Sequence, residues 1–286
     1  MKCNPSPQNS MGKRKNQDES DEENSETHYG SDDSDVLERI PLPKKPKPSK
    51  EGPAGTVYDF TMSFLSELKL NNNREWFNIN RPRYEASKEN FISLLTILLK
   101  SLSETDPDLA NINVKDTLYR INKDIRFSKD KSPYKPYLSA HFQRDGKKSG
   151  FAGYYFQIMP NGQTTVGAGV FQPPTSILSK IRSGIDTNPS LLEESLKGDE
   201  VQKIFDLSGF DVLHSPIPWQ LPKLKRMPKG YPITHANIKE LCLKSFVIGK
   251  RFTDDEVMQP EFSKQVIDVM LATVPFVHAL NEYIEE

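Results

Sequence analysis

An α+β domain, an antiparallel β-meander flanked by helices in a single folded unit, is the architecture that this 286-residue sequence predicts. Three observations carry the prediction. Apolar residues recur at helical spacing between Phe60 and Leu99 and again beyond Pro174. Between Tyr137 and Phe171 the period drops to two, the side chains are aromatic and β-branched, and Asn161-Gly162 supplies a hairpin turn. The first 50 residues hold almost no large apolar side chain, so the folded region is expected over 56–286 and residues 1–55 are read as a disordered, charged tail.

The tail is organised by charge. Lys13-Arg14-Lys15 opens it, ten acidic residues follow between Asp18 and Glu38, and Lys44-Lys45-Pro46-Lys47 with Lys50 closes it. Two short basic clusters in a solvated segment have the character of a nuclear localisation signal, which implies a nuclear import receptor as partner and the nucleus, with the cytoplasm as second compartment, as location. Ser20, Ser25, Ser31 and Ser34 precede acidic residues, the context that acid-directed kinases favour, so the tail is also a candidate phosphoprotein segment.

Within the folded region, Phe60, Phe64, Leu65 and Leu68 make one helical face, which Asn71-Asn72-Asn73 ends. A second helix starts near Arg74 and includes Trp76 and Phe77. Pro82 opens a third, whose stripe runs from Tyr84 through Phe91, Leu94, Leu95, Leu98 and Leu99 and stops before Asp106-Pro107. From Thr117 the chain reads as extended. It passes through Leu118 and the Arg120 segment into a strand over Tyr137–Phe142. A charged turn from Arg144 to Gly150, a strand over Gly153–Met159, the Asn161-Gly162 turn and a strand over Thr164–Phe171 complete the meander, with Gly167 and Gly169 marking a bulge or a close backbone approach. Helical spacing returns over Ser176–Ser183, Ser190–Leu196 and Asp199–Leu207. A Pro- and Lys-rich connection (Pro216–Pro232), a short helix near Ala236–Leu241, a strand within Lys244–Phe252 and a final amphipathic helix from Phe262 to Tyr283, bending at Pro275, follow.

Composition narrows the function classes. Once the first 50 residues are set aside, 29 basic and 29 acidic residues remain, so bulk charge does not argue for nucleic-acid binding. No apolar run is long enough to cross a membrane, and no signal-peptide core opens the chain, so an intracellular protein without membrane contact is expected. Cys3 and Cys242 offer neither a disulfide framework nor a zinc site, and Cys242 is read as a small core residue. His28, His141, His214, His235 and His278 are scattered. Without HExxH, CxxC, GxSxG or a Walker loop, no metal, no cofactor and no catalytic residue is assigned.

One polar constellation stands out. The sixteen residues RINKDIRFSKDKSPYK hold Arg120, Asp124, Arg126, Ser128, Asp130, Lys131, Tyr134 and Lys135, the candidate ligand-binding set. If 120–126 is a strand, Arg120, Asn122, Asp124 and Arg126 share a face. Asp124 would then orient both guanidinium groups toward a phosphate or carboxylate, with Lys131 and Lys135 closing the site. If the stretch is helical, Arg120 and Asp124 are only an i,i+4 pair. A structural salt-bridge and turn module, with Asp130 capping a loop and Tyr134 packed, is the competing reading. A second basic group, Lys223, Lys225, Arg226 and Lys229 with Tyr231, plus Arg144, Lys147 and Lys148, suits single-stranded nucleic acid.

Asn72-Asn73-Arg74-Glu75-Trp76-Phe77, the run from Arg120 to Lys135, GAGVFQPP, PKGYPITH and KSFVIGK together resemble the uncharacterised bacterial and fungal family called domain of unknown function 2461. The resemblance spans nearly all of 58–284. Besides the eight candidate residues, Asn72, Trp76, Phe77, Tyr84, Phe127, Pro133, Gly169, Pro173, Pro228 and Gly230 fit the family pattern, whereas the tail has no counterpart there. The resemblance implies no activity. The functional expectation therefore rests on the Arg/Asp/Lys run: an anionic, phosphate-bearing ligand, with a nucleic-acid module or a non-catalytic interaction scaffold as the alternative.

Overall fold

A computed structural model describes residues 55–286 apart from 148, 217, 219 and 220. The tail expected over 1–55, with its basic clusters and His28, thus lies outside the described residues except for Gly55.

The chain opens with helices α1 (Asp59–Leu70), α2 (Arg74–Ile79) and α3 (Arg81–Ser103), as the periodicity predicts. Asn73 caps α2 by accepting from the Trp76 N–H at 2.9 Å, and Pro82 sits in the first turn of α3, where its missing donor costs nothing. Leu65, Leu68, Leu95 and Leu98 are fully buried, and Phe64 stacks with Trp76 at 6.0 Å. A 3₁₀ turn (Pro107–Leu109) and a single helical turn, α4 (Val114–Thr117), lead to the sheet.

That sheet is a four-stranded antiparallel meander in sequence order: β1 (Leu138–Gln143), β2 (Gly153–Ile158), β3 (Thr164–Val170) and β4 (Phe246–Phe252). Asn161 and Gly162, at φ 66° and 63°, make the β2–β3 turn. Between β3 and β4 come α5 (Thr175–Thr187), α6 (Pro189–Glu194), α7 (Asp199–Phe205), a second 3₁₀ stretch (Gly209–His214) and α8 (Ile238–Leu241). After β4 follow α9 (Asp254–Val257), α10 (Phe262–Ala272) and α11 (Val274–Glu285). The last two were expected as one bent helix. They are separate because Thr273 stops the first and Pro275 stands in the opening turn of the second.

The register gives the sheet two unlike faces. Ala140, Phe142, Tyr154, Phe156, Val166, Ile248 and Phe252 point one way and are buried under helices, with Phe91 stacked on Phe156 at 5.7 Å and Phe262 edge-on to Phe252 at 5.3 Å. The other face is polar or bare. Its rows read Ser139–Gln157–Thr165–Arg251, His141–Tyr155–Gly167–Gly249 and Gln143–Gly153–Gly169–Val247. Two of those glycines are demanded by the backbone. A Cβ on Gly153 would lie 2.3 Å from the Phe142 carbonyl oxygen, and one on Gly169, at φ 120°, would lie 2.0 Å from that of Phe246.

The extended strand expected from Leu118 through Phe127 requires correction. Residues 118–137 form an irregular hairpin at the β1 edge of the sheet, touching at two isolated bridges, Leu118 with Ala140 and Asn122 with Tyr134. The register slips by two residues between them. Pro133 and Pro136 explain the break, because neither can donate to a ladder. Asn72 substitutes for the missing neighbour: its side-chain amide donates to the Tyr134 carbonyl at 2.9 Å, and its oxygen accepts from the Tyr134 N–H at 3.0 Å. Tyr134 is buried and stacks on Phe77 at 3.9 Å, which ties the hairpin to α2.

Because a side chain at residue 169 would meet backbone on β4 in a positive-φ conformation, Gly169→Ala is expected to cost about 3 kcal/mol or more, a loss readable as a lower denaturation midpoint in urea.

Candidate functional site

The eight residues singled out in the sequence do not converge. Asp124 and Arg126 close on each other: Arg126 Nε and a terminal nitrogen reach the two carboxylate oxygens at 3.0 and 2.7 Å, and the Arg126 N–H donates to the same carboxylate at 3.2 Å. The Arg126 guanidinium holds the Asp124 carboxyl down at about 2. Arg120 makes no such fork, so the shared-face arrangement of two arginines about Asp124 is absent from the described structure. Asp130 takes Lys123 at 2.5 Å and the Ser132 N–H at 2.8 Å, and its carboxyl is lowered mainly by Lys123. The Lys131 ammonium donates to the Ile125 carbonyl at 3.1 Å, Ser128 is half-buried midway along the hairpin, and Tyr134 belongs to the core. Most of the run is a self-neutralised turn module.

Arg120 and Lys135 differ. They lie at the hairpin base, where Lys147 from the β1–β2 turn joins them. The Lys135 ammonium sits 5.5 Å from the Tyr119 ring centre and the Lys147 ammonium 5.3 Å from it on their own approaches. Lys135 loses basicity first through burial and then through repulsion by Arg120 and Lys147, and burial likewise lowers Lys147. Lys147 donates to the Leu118 carbonyl. Among the described residues none of the three cations lies within ion-pair distance of a carboxylate.

Beside this cluster, over the bare face of the sheet, lies a cavity of about 530 Å³. Tyr119, His141, Gln143, Lys147 and Tyr155 line it together with Gly153, Gly167, Gly169, Phe151, Phe171 and Val247. Pro173 and Pro174, which lead into α5, form part of the wall, so the N-terminal end of that helix contributes partial positive charge. The volume falls in the range of small-molecule sites, about 300–1,000 Å³.

Two buried atoms in this wall have no hydrogen-bond partner among the described residues, Nδ1 of His141 and Oε1 of Gln143. Burial, with a smaller contribution from Lys147, pushes the His141 imidazole down to about 4, so it is neutral near pH 7. Burial raises the Tyr155 hydroxyl far above its usual value, and that hydroxyl donates to Gln157 Oε1 at 2.8 Å. The far end of the same face is satisfied internally: Gln157 donates to the Gln163 carbonyl at 3.2 Å and Arg251 to the Pro218 carbonyl at 2.6 Å.

Elsewhere the polar residues are engaged in structure. Arg144 pairs with Asp108 and Glu285 and lies 4.0 Å over the Phe151 ring, which removes it from the basic group expected in that turn. Lys223 contacts His214 Nδ1 at 2.9 Å, and His214 reaches the buried Glu240 at 2.8 Å. His235 meets Asp186 at 2.9 Å and His278 meets Asp106 at 3.2 Å. Lys225, Arg226 and Lys229 are exposed, and the side chain of Lys148 lies outside the description. Among the described residues there is no cluster of three metal-ligating side chains and no helix long and apolar enough to cross a membrane.

Lys147, Gln143 and Tyr119 are the residues that sequence reasoning underweighted. In sequence Lys147 stands out only within the basic group suited to single-stranded nucleic acid, and His141 only as one of five scattered histidines. The alternation of β1 and β2 placed His141, Gln143, Gly153 and Tyr155 on one face, a usable signal, but nothing local said that this face stays open.

Fold and cavity define an α+β domain whose antiparallel sheet is packed on one side and carries on the other a cavity that Lys147 lines. The chain belongs to the family described as "Conserved hypothetical protein (DUF2461)", whose family model matches residues 60–278. Neither the curated proteins nor the solved structures returned a match.

His141 is protonated in the unfolded chain below about pH 6.5 but in the folded protein only near 4. The unfolded state therefore binds more protons in that window, and stability falls as pH drops through it, by up to about 3 kcal/mol. His141→Gln should flatten the curve of melting temperature against pH between 6.5 and 4 relative to the parent.

Proposed function

We propose that this protein binds an anionic, phosphate-bearing small molecule in the cavity on the bare face of its sheet, with the anion at Lys147, Lys135 and Arg120. The observation that carries this reading is the mutual approach of three cations, none of them in an ion pair among the described residues, beside a cavity that Lys147 itself lines. Like charges held together and partly desolvated are costly, and an anion of charge two relieves that repulsion while forming charge-assisted hydrogen bonds. The reading keeps Arg120 and Lys135 from the sequence-derived set and adds Lys147. It leaves Asp124, Arg126, Asp130 and Lys131 as the module that shapes the hairpin.

Titration calorimetry with pyrophosphate tests it. Lys147→Ala and Lys135→Ala should each weaken binding about tenfold, the scale of one charge-assisted bond. Arg126→Lys should change it less than about twofold, since its fork is already occupied. An affinity that follows Arg126 and ignores Lys147 would return the site to the hairpin tip.

Single-stranded nucleic acid is the second reading, favoured by one feature. Phe127 is 94% exposed at the hairpin tip, with the Arg126 guanidinium 5.8 Å from its ring centre and Lys129 and Lys131 close in sequence. For the tail we retain a nuclear import role, supported by its two basic clusters flanking an acidic block. A reporter above the passive limit of the nuclear pore, fused to residues 1–55, should accumulate in nuclei, and replacing the lysines at 44, 45 and 47 by alanine should reduce that accumulation. An unchanged cytoplasmic signal for the fusion would contradict the role.

A further inference from the structure

We infer that the ligand of this cavity carries, beside its anionic group, a flat unit bearing an N–H donor, the combination a nucleotide offers, and that Gln143 is the residue that selects it. The inference rests on the anion-binding reading above and goes further by naming the class of ligand.

Gln143 supplies the first argument. It is 5% exposed, and its amide orientation is fixed, because Nε2 donates to the Phe151 carbonyl. The flipped amide would bring two oxygens together, so Oε1 must be the atom that faces away from Phe151. That oxygen is buried and has no partner among the described residues. A buried acceptor without a donor is a standing cost, and a ligand that brings a donor removes it. A phosphate group cannot, because at neutral pH it mainly accepts.

The second argument is shape. Gln143 ends the row Gln143–Gly153–Gly169–Val247, in which two successive strands present no side chain. Four strands at about 4.8 Å spacing give a trough about 14 Å across from Gln143 to Val247, floored by peptide planes. The backbone contacts at Gly153 and Gly169 keep that floor bare. Phe151 and the largely exposed Phe171 wall the cavity. A flat floor between aromatic walls fits a planar ring better than a puckered sugar or a branched chain.

The third argument is connection. Gln143 and Lys147 stand four residues apart and line the same cavity, with His141 between them and Tyr155. One ligand in the cavity can thus place its phosphate at Lys147 and its ring at Gln143. His141, kept neutral by burial, presents an Nδ1 unpartnered among the described residues that can donate or accept according to its tautomer. Gln143 Oε1 can only accept, which makes it the stricter reader of the two.

Binding of the full-length protein to pyrophosphate, ribose 5-phosphate and the four common ribonucleoside monophosphates, measured by calorimetry, tests the inference. At least one nucleotide should bind about tenfold more tightly than ribose 5-phosphate, one hydrogen bond's worth of discrimination. Gln143→Met should remove most of that preference and leave pyrophosphate affinity within about twofold. The preference in the parent protein decides the matter even if the variant folds poorly. Ribose 5-phosphate binding as tightly as every nucleotide would overturn the inference while pyrophosphate binding sensitive to Lys147→Ala leaves the anion site standing. Loss of pyrophosphate binding altogether would overturn both.

Discussion

Backbone on β4 approaches Gly169 so closely that no side chain can stand there, and β2 meets β1 in the same way at Gly153. Much else in the molecule follows from that pair of contacts. Carbonyls stand against these positions, and the two middle places of one row on the exposed face are left without side chains as a result. The opposite face is pinned by Phe91, Phe156, Phe252 and Phe262, each buried and each in ring contact with another. The sheet therefore cannot fill its bare side by rolling or shifting. An open trough is the geometric remainder of a tightly specified packed face.

Electrostatics divides the polar residues into two populations. Asp124 with Arg126, Asp130 with Lys123, and Arg144 with Asp108 and Glu285 are neutralised where they stand, and three histidines lie within hydrogen-bond reach of carboxylates. Those pairs hold turns and helix ends in place. Exposed pairs of this kind contribute little to stability, so their role is mainly geometric. Arg120, Lys135 and Lys147 form the other population, cations in no ion pair among the described residues, of which Lys147 lines the cavity. Local neutralisation of the hairpin tip is what makes the contrast legible, because it leaves the unbalanced positive charge at the base alone.

How much of this could be read from the sequence depended on the range of the interactions involved. The helices, the meander and the Asn161-Gly162 turn were legible because periodicity and turn chemistry are local. The interruption at Pro133 and Pro136 was also local in cause, yet its consequence, an Asn72 side chain standing in for a strand neighbour 62 residues away, was not. The run from Arg120 to Lys135 correctly flagged polar density, but density does not distinguish charges that satisfy each other from charges that do not. Arg126 and Lys135 look alike in one dimension. Only the fold shows that the first has a carboxylate at hand and that the second faces aromatic rings and other cations. Gln143 was invisible for the same reason: its amide nitrogen is fixed by a carbonyl eight residues on, and its oxygen matters because of what is missing above Gly153 and Gly169.

The most direct test of the central claim is a map of where an anion lands. Amide and side-chain NMR shifts of the full-length protein, followed during titration with pyrophosphate, should move first and most at Lys147, Lys135 and Arg120, with His141 next. Shifts concentrated at Asp124, Arg126 and Lys131, with the sheet residues unmoved, would contradict the account.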